Sequence, residues 1–240
     1  MTVAKTPRPP KTGYQLTEQI PSVFLEKDTV ALIEAFLLAR GYQVDPPRAR
    51  GDVLFLSIVT SSGAKRLASI KEYRFHTFSE GIESLFVGYG EFEDGLSISV
   101  KFSRRAAESR VSVNYRGAGA RKVAESLADG IIAILEDVKT SNALYHPGPM
   151  LRGALTALFV AGIGIQFVFF VVARRVFEVL LPLILVLYSY LYLAPMFNPY
   201  TTFDTPHSRR SRHWSAWLVG TALTLLVLWL ANSLVGSLSP

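Results

Sequence analysis

The chain has 240 residues, with 25 lysines and arginines against 19 acidic residues, a net charge of +6 and no cysteine. The lack of cysteine excludes disulfides, thiolate catalysis and Cys-ligated zinc or iron–sulfur centres. This length allows one globular domain and a small second region. Most charged side chains lie in residues 1–150, and three long apolar runs follow residue 150.

Residues 1–25 are predicted to form a flexible basic arm. The segment contains four prolines, which prevent a continuous helix, and too few apolar side chains to build a core. It also lacks the apolar stretch that a secretory signal requires. We therefore expect the domain that follows to remain in the cytoplasm.

Residues 26–139 are predicted to form a soluble α+β domain. Apolar side chains at helical spacing follow Asp28 and end at Gly41, which indicates a first helix. Beyond it the apolar period changes to two, and Asp94-Gly95 is a strong hairpin signal. Alternation predicts strands at residues 52–60, 64–76, 83–92, 96–103 and 109–116.

A second amphipathic helix is predicted after Gly119, with an apolar stripe that runs from Val123 to Val138. The expected architecture is therefore a helix, a five-stranded antiparallel meander and a second helix, packed in two layers. Residues 140–150 are predicted to be a linker, because they contain Pro147-Gly148-Pro149.

Residues 151–240 are predicted to form an all-α membrane domain of three transmembrane helices. The apolar runs at 153–172, 179–197 and 214–235 are each long enough to cross a bilayer. The first two form either a tight hairpin or one long helix kinked at Pro182. The charges predict an integral protein of a bacterial inner membrane, with a cytoplasmic N-terminal domain and the C-terminus outside.

Several side chains at the ends of these runs are predicted to contact lipid headgroups or to set the orientation. Arginine binds lipid phosphates, and tryptophan concentrates at membrane interfaces. The residues concerned are Arg174, Arg175, Arg209, Arg210, Arg212, Trp214 and Trp217. This placement of the basic excess indicates membrane lipid, and not nucleic acid, as the partner.

Gly153, Ala157, Ala161 and Gly164 are spaced so that they share one face of the first apolar helix. Small side chains let a second helix approach closely, either within the chain or from a partner. The alternative is that these are ordinary small residues of an apolar helix. The pattern predicts helix packing and does not identify the partner.

The sequence contains no recognisable catalytic, cofactor or metal-binding motif. A P-loop, a Gly-rich dinucleotide loop and a nucleophile elbow are absent, and the four histidines are scattered. No charged side chain lies in the middle of an apolar run, as an ion or proton path would require. We therefore expect no cofactor, and a transporter acting alone is not expected.

One segment resembles the restriction-endonuclease-like nucleases of the Mrr type. The resemblance covers about residues 28–75 and rests on Glu34, on the run from Gly41 to Val44, on Asp52 and on Ser69-Ile70-Lys71. It implies Asp52 as a magnesium ligand and Lys71 as the group that stabilises the attacking water. Ser69 stands where that family has a metal-ligating Glu or Gln, and the crossover helix of the fold is not predicted here.

The solvent-facing side of the sheet is a second candidate surface. The sequence places eight basic side chains near it: Lys65, Arg66, Lys71, Arg74, Lys101, Arg104, Arg105 and Arg110. They either form a basic surface that docks an acidic partner or anionic lipid, or are simply solvated among neighbouring glutamates.

These observations favour a non-enzymatic, membrane-anchored accessory or scaffold subunit of a larger membrane complex. Its cytoplasmic domain would be used for docking, and its partners would be lipids and other membrane-protein subunits or further copies of itself. Two alternatives remain open. One is a self-assembling membrane effector with a ligand-sensing domain, and the other is a membrane-tethered nuclease of the type described above.

Overall fold

The computed structural model describes residues 13–44, 54–90, 95–169 and 184–209. Its centre is an α+β domain with a large antiparallel sheet. The strands are β1 (Tyr14–Gln19), β2 (Val23–Leu25), β3 (Leu54–Thr60), β4 (Gly63–Leu67), β5 (Ile82–Tyr89), β6 (Leu96–Ser103), β7 (Arg110–Tyr115) and β8 (Thr201–Phe203). The long helices are α1 (Lys27–Val44), α2 (Ala120–Glu136) and α3 (Pro149–Phe169).

The main sheet has six strands in the order β1-β7-β6-β5-β3-β4, and every neighbouring pair is antiparallel. It differs from the predicted five-stranded meander, because β5 pairs with β3 and β4 is left at an edge. The reason is that β4 is short and exposed at Lys65 and Arg66, which suits an edge strand. Instead of continuing β4, the chain forms a short 3₁₀ helix at Ile70–Glu72.

The sixth strand, β1, comes from the segment predicted as a flexible arm. Tyr14 and Leu16 pack against the core, whereas Gln15 and Thr17 alternate with them and are more exposed. All six residues of β1 pair with β7. This alternation is the signature of a half-buried strand, and the prolines around it obscured it in the sequence.

The core lies between the inner face of the sheet and the two helices α1 and α2. The alternation of apolar and polar side chains along each strand produces this inner face, as predicted for a half-buried antiparallel sheet. The fully buried side chains include Ile33 and Leu37 of α1, Ile131 and Leu135 of α2, and Leu56, Leu85, Val87, Val100, Val111 and Val113 of the strands.

α1 continues three residues beyond Gly41, where the sequence predicted its end. The glycine serves packing here, since a β-carbon at this position would collide with the ring of Tyr89 on β5. A glycine near a helix end therefore marks a close helix–sheet contact in this fold, and not the left-handed cap that was expected.

A second, two-stranded sheet ties residues 200–209 to the domain. β8 pairs in parallel with β2. The main-chain N–H of Asp204 donates to Leu25 O at 2.9 Å, and the Tyr200 hydroxyl donates to Ile20 O at 2.8 Å. Burial raises the pKa of this hydroxyl. The chain therefore leaves the domain through α3 and returns to its core at β8.

Thr201 provides a test of this second sheet. It is fully buried on β8, and its hydroxyl has no hydrogen-bond partner among the described residues. A buried unpaired hydroxyl is destabilising, so we expect Thr201→Val to raise the free energy of unfolding by about 1 kcal/mol. Thr202→Val is the matched control, because the Thr202 hydroxyl accepts from Asn142 Nδ2 at 3.1 Å. Chemical denaturation in which both variants lose stability equally would contradict this reading.

The predicted membrane domain needs correction. Within residues 13–44, 54–90, 95–169 and 184–209, no helix combines the length and the apolar character needed to span a bilayer. This finding contradicts the predicted all-α domain of three transmembrane helices and the predicted integral membrane location with the C-terminus outside. The third predicted span, 214–235, lies outside the described residues. So do residues 170–172 of the first span, residues 179–183 of the second, and the connection predicted to be a hairpin or a kinked helix.

In the described residues, the apolar run before Asn198 packs partly against the rest of the chain. A π-helix (Ser189–Leu193) and a short α-helix (Ala194–Phe197) lead back to β8. Leu191 is only 3% exposed, and the Tyr190 hydroxyl donates to Leu144 O at 2.6 Å. Hydropathy counts apolar side chains but cannot tell whether they face lipid or protein, and this run packs partly on protein.

Candidate functional site

Helix α3 carries the four small residues that the sequence selected for helix packing. It begins at Pro149, a residue that suits a first helical position because its missing N–H needs no partner there. The Arg152 N–H donates to Gly148 O at 2.8 Å, and the Thr156 hydroxyl donates to Arg152 O at 2.8 Å. These bonds form the first turns, and the alanines and leucines that follow favour a helix.

One side of α3 packs against residues 184–193 of the same chain. A β-carbon added at Gly162 would lie 3.2 Å from Ile184 Cγ1. The ring of Phe159 lies 6.1 Å from that of Tyr188 and 6.3 Å from that of Tyr192, measured between centroids. This intrachain contact uses Phe159 and Gly162, which the small-residue pattern did not select.

The four predicted packing residues lie on the opposite side of α3. All four are exposed, and a β-carbon added at Gly153 or Gly164 would meet no described atom within 4 Å. A shallow groove runs along this side, and its lining comprises Pro149, Arg152, Gly153, Thr156, Ala157, Val160 and Ala161. The described part of the chain therefore leaves this face open, and we call it the α3 groove.

The α3 groove is bordered by large apolar side chains. Leu158 is 59% exposed, Val160 60% and Ile165 45%. Single exposed apolar residues are ordinary, but a continuous apolar surface marks an interaction site on a protein. The groove thus combines low side-chain volume, which permits close approach, with apolar flanks that gain from burial.

Of the residues predicted to contact lipid headgroups, only Arg209 is described. Its guanidinium donates two hydrogen bonds to the Asp204 carboxylate, from Nε at 2.5 Å and from Nη2 at 2.6 Å. Asp204 is 3% exposed, and its bond raises the pKa of Arg209. This arginine therefore pairs with a buried carboxylate that directly follows β8. Arg174, Arg175, Arg210, Arg212, Trp214 and Trp217 lie outside the described residues.

Glu34, the first residue of the nuclease resemblance, is buried and hydrogen-bonded within the fold. Glu34 is 4% exposed; its Oε2 accepts from the Ser69 hydroxyl at 2.8 Å, and its Oε1 accepts from the Ile70 N–H at 2.7 Å. Lys71 lies exposed in the 3₁₀ helix that this carboxylate holds, and Asp52 lies outside the described residues. Both oxygens of Glu34 are thus engaged in fixing the loop after β4.

The eight basic residues assigned to the outer sheet surface do not form one cluster. Arg66, Lys101 and Arg110 occupy outward positions on their strands, because they pair with Ser57, Phe86 and Gln19 of neighbouring strands. The others lie on the opposite side of edge strand β4 or in loops: Lys65, Lys71, Arg74, Arg104 and Arg105.

Lys101 is paired at the rim of this surface. Its ammonium donates to Glu108 Oε2 at 2.8 Å, and Arg105 lies 3.3 Å from the other oxygen. The hydrogen bond from Lys101 lowers the pKa of Glu108 below 4.5. The pair therefore stabilises the fold above pH 4.5, and this contribution is lost as the pH falls through the lowered pKa.

Glu108→Gln tests this linkage. Above pH 4.5 we expect the variant to melt at a lower temperature than the wild-type protein, because the charged acceptor is lost. Well below that pH the two should melt together, since the wild-type carboxyl is then protonated. Thermal melts over a pH series would measure the difference in melting temperature between the two proteins. A difference that does not change with pH would contradict the linkage.

The described residues contain no group of three or more His, Cys, Asp or Glu side chains that could hold a metal ion. No family model, curated protein or solved structure matches the chain. The α3 groove is the strongest candidate site in the described part of the chain.

Proposed function

We propose that this protein is a non-enzymatic accessory or scaffold subunit of a larger complex, and that the α3 groove is its docking surface. The observation that carries the proposal is the division of α3 into two sides. Phe159 and Gly162 face residues of the same chain, whereas Gly153, Ala157 and Ala161 face outward and line an open groove.

The chemistry of the groove indicates what would occupy it. Helices pack with their axes about 8–10 Å apart, and the shorter distances require small side chains at the contact. Apolar flanks at Leu158 and Ile165 would bury substantial surface against another apolar helix. Arg152, at the beginning of the groove, supplies the one charged group of its lining. The expected occupant is an apolar helix of a partner protein with an acidic residue near one end.

The α+β domain would hold this helix in a fixed position. The segments before and after the helical part are bonded to each other, because the Tyr190 hydroxyl donates to Leu144 O and the His146 ring bonds to Asn198 O at 2.8 Å. The first of these segments is also bonded to the domain, since the Ala143 N–H donates to the Ser22 hydroxyl at 3.0 Å. A rigid platform lowers the entropic cost of association, because fewer groups need ordering when the partner binds.

Co-purification tests the proposal. The full-length chain, tagged at its N-terminus, would be isolated from its native host and its mass and composition measured. A different protein in fixed stoichiometry supports the accessory subunit. A homo-oligomer supports self-assembly instead, for which the same groove would receive a second copy, and a lone monomer contradicts both.

A further inference from the structure

The outer face of the sheet carries a second, independent feature. α1 and α2 cover the other face, and the outward positions of the central strands are partly exposed. On this open face the rings of Phe55 and Phe86 stack, with centroids 5.5 Å apart and planes 28° from parallel. Arg66 completes the arrangement, with its guanidinium carbon 4.6 Å from the centre of the Phe55 ring.

Gly88 makes room for the outer end of the Phe55 ring. A β-carbon at this position would collide with the ring, so the missing side chain makes room for it. Phe55 pairs with Gly88 across the strands, and Phe86 lies two residues earlier on the same strand. We call Phe55, Phe86 and Arg66 the stacking platform: two rings and a guanidinium, all on the open side of the sheet.

The surroundings of the platform are polar and carry positive charge. Small hydroxyl and amide groups fill the outward positions of the neighbouring strands: Thr17, Ser57, Ser97, Ser99, Ser112 and Asn114. The charged outward positions of the described strands are Arg66, Lys101 and Arg110, and none of these outward positions holds Asp or Glu. Lys101 is paired with Glu108, and Glu83 is exposed at the beginning of β5.

We infer that this face binds single-stranded nucleic acid. Flat aromatic rings and guanidinium planes stack on bases, hydroxyl and amide groups bond to base edges and sugars, and cations neutralise phosphates. An acidic polypeptide would use the cations but not the flat rings, and serine is depleted at protein–protein interfaces. The distribution of charge along the sequence argued against nucleic acid, but it does not show which side chains share a face.

This inference is independent of the α3 groove. The platform lies on β3, β4 and β5, and the groove lies on α3. A chain can therefore dock through α3 while the sheet binds a nucleic acid. Partner binding and nucleic-acid binding are tested by separate experiments.

Fluorescence anisotropy with the full-length chain tests the inference. The probe is a fluorescein-labelled oligothymidylate of about 20 nucleotides, longer than the ~4–16 nucleotides that one small binding domain covers. We expect binding that weakens as salt is added, because phosphate contacts release counterions. Phe86→Leu and Arg66→Gln should each weaken binding by about tenfold, since each removes a stacking group.

Lys122→Gln is the matched control, because it removes one positive charge from the exposed part of α2, away from the platform. Its affinity should remain within about twofold of the wild-type value. Melting curves would establish that each variant is folded. Three results would overturn the inference: no binding at low salt, equal loss with Lys122→Gln, or displacement of the probe by polyglutamate at matched charge.

Discussion

Glu34→Ala is expected to destabilise the protein by about 3 kcal/mol, since a buried N–H and a hydroxyl lose a shared charged acceptor. Glu34 is almost fully buried, and its two oxygens bind Ser69 and Ile70 at the beginning of the 3₁₀ helix. That helix begins the long loop that carries the chain from edge strand β4 to β5. The loop buries Ile70, Tyr73 and Phe78, so its displacement would also expose part of the core.

Urea denaturation of two variants would measure this effect. Glu125→Ala is the matched control, because Glu125 lies on a helix surface and pairs with Arg121 at 2.8 Å in an exposed setting. Such a surface pair contributes at most about 0.5 kcal/mol. If Glu34→Ala lowered the free energy of unfolding by no more than Glu125→Ala, Glu34 would have no structural role. A role for Glu34 in nuclease chemistry would then need a test.

Ala157→Phe and Ala161→Phe are expected to abolish partner binding while leaving the domain folded. Both alanines line the α3 groove and are exposed, so a phenyl group fits in the free chain but prevents close approach of another helix. We expect affinity for the co-purifying protein to fall by at least about 100-fold, because the groove can no longer seat a helix at close range.

Ala133→Phe provides the control for these variants. Ala133 is an exposed alanine on α2, so the same change is made on another helix of the domain. The control should retain the partner, and thermal melts should show that all three variants are folded. Retention of the partner by both α3 variants would show that the partner does not bind in the α3 groove.

The antiparallel sheet and its two covering helices were accessible from the sequence. The alternation of Leu96, Ile98 and Val100 with serine predicted β6 with the bounds that the structure has. Strand order was not accessible, because period-two alternation identifies strands but not their neighbours. Lys65 and Arg66 on β4 were the available signal that it would be an edge strand.

The membrane domain predicted for the apolar third of the chain was wrong. Hydropathy predicted three membrane spans, but in the described residues the chain returns to the domain at β8. Small-residue spacing predicted that Gly153, Ala157, Ala161 and Gly164 share one face of a helix, and all four are exposed on α3. It could not show which side the chain itself would occupy, since that depends on Phe159, Tyr188 and Tyr192 meeting across the fold.

If another protein covers the open side of α3, cysteine labelling will measure that coverage directly. The chain has no cysteine, so A157C and A133C each introduce a single reactive thiol. The rate of maleimide labelling would be compared between the free chain and the purified complex. We expect A157C to be labelled at least about tenfold more slowly in the complex, because burial excludes the reagent, whereas the labelling rate of A133C should be unchanged. Equal labelling of A157C in both states would contradict it.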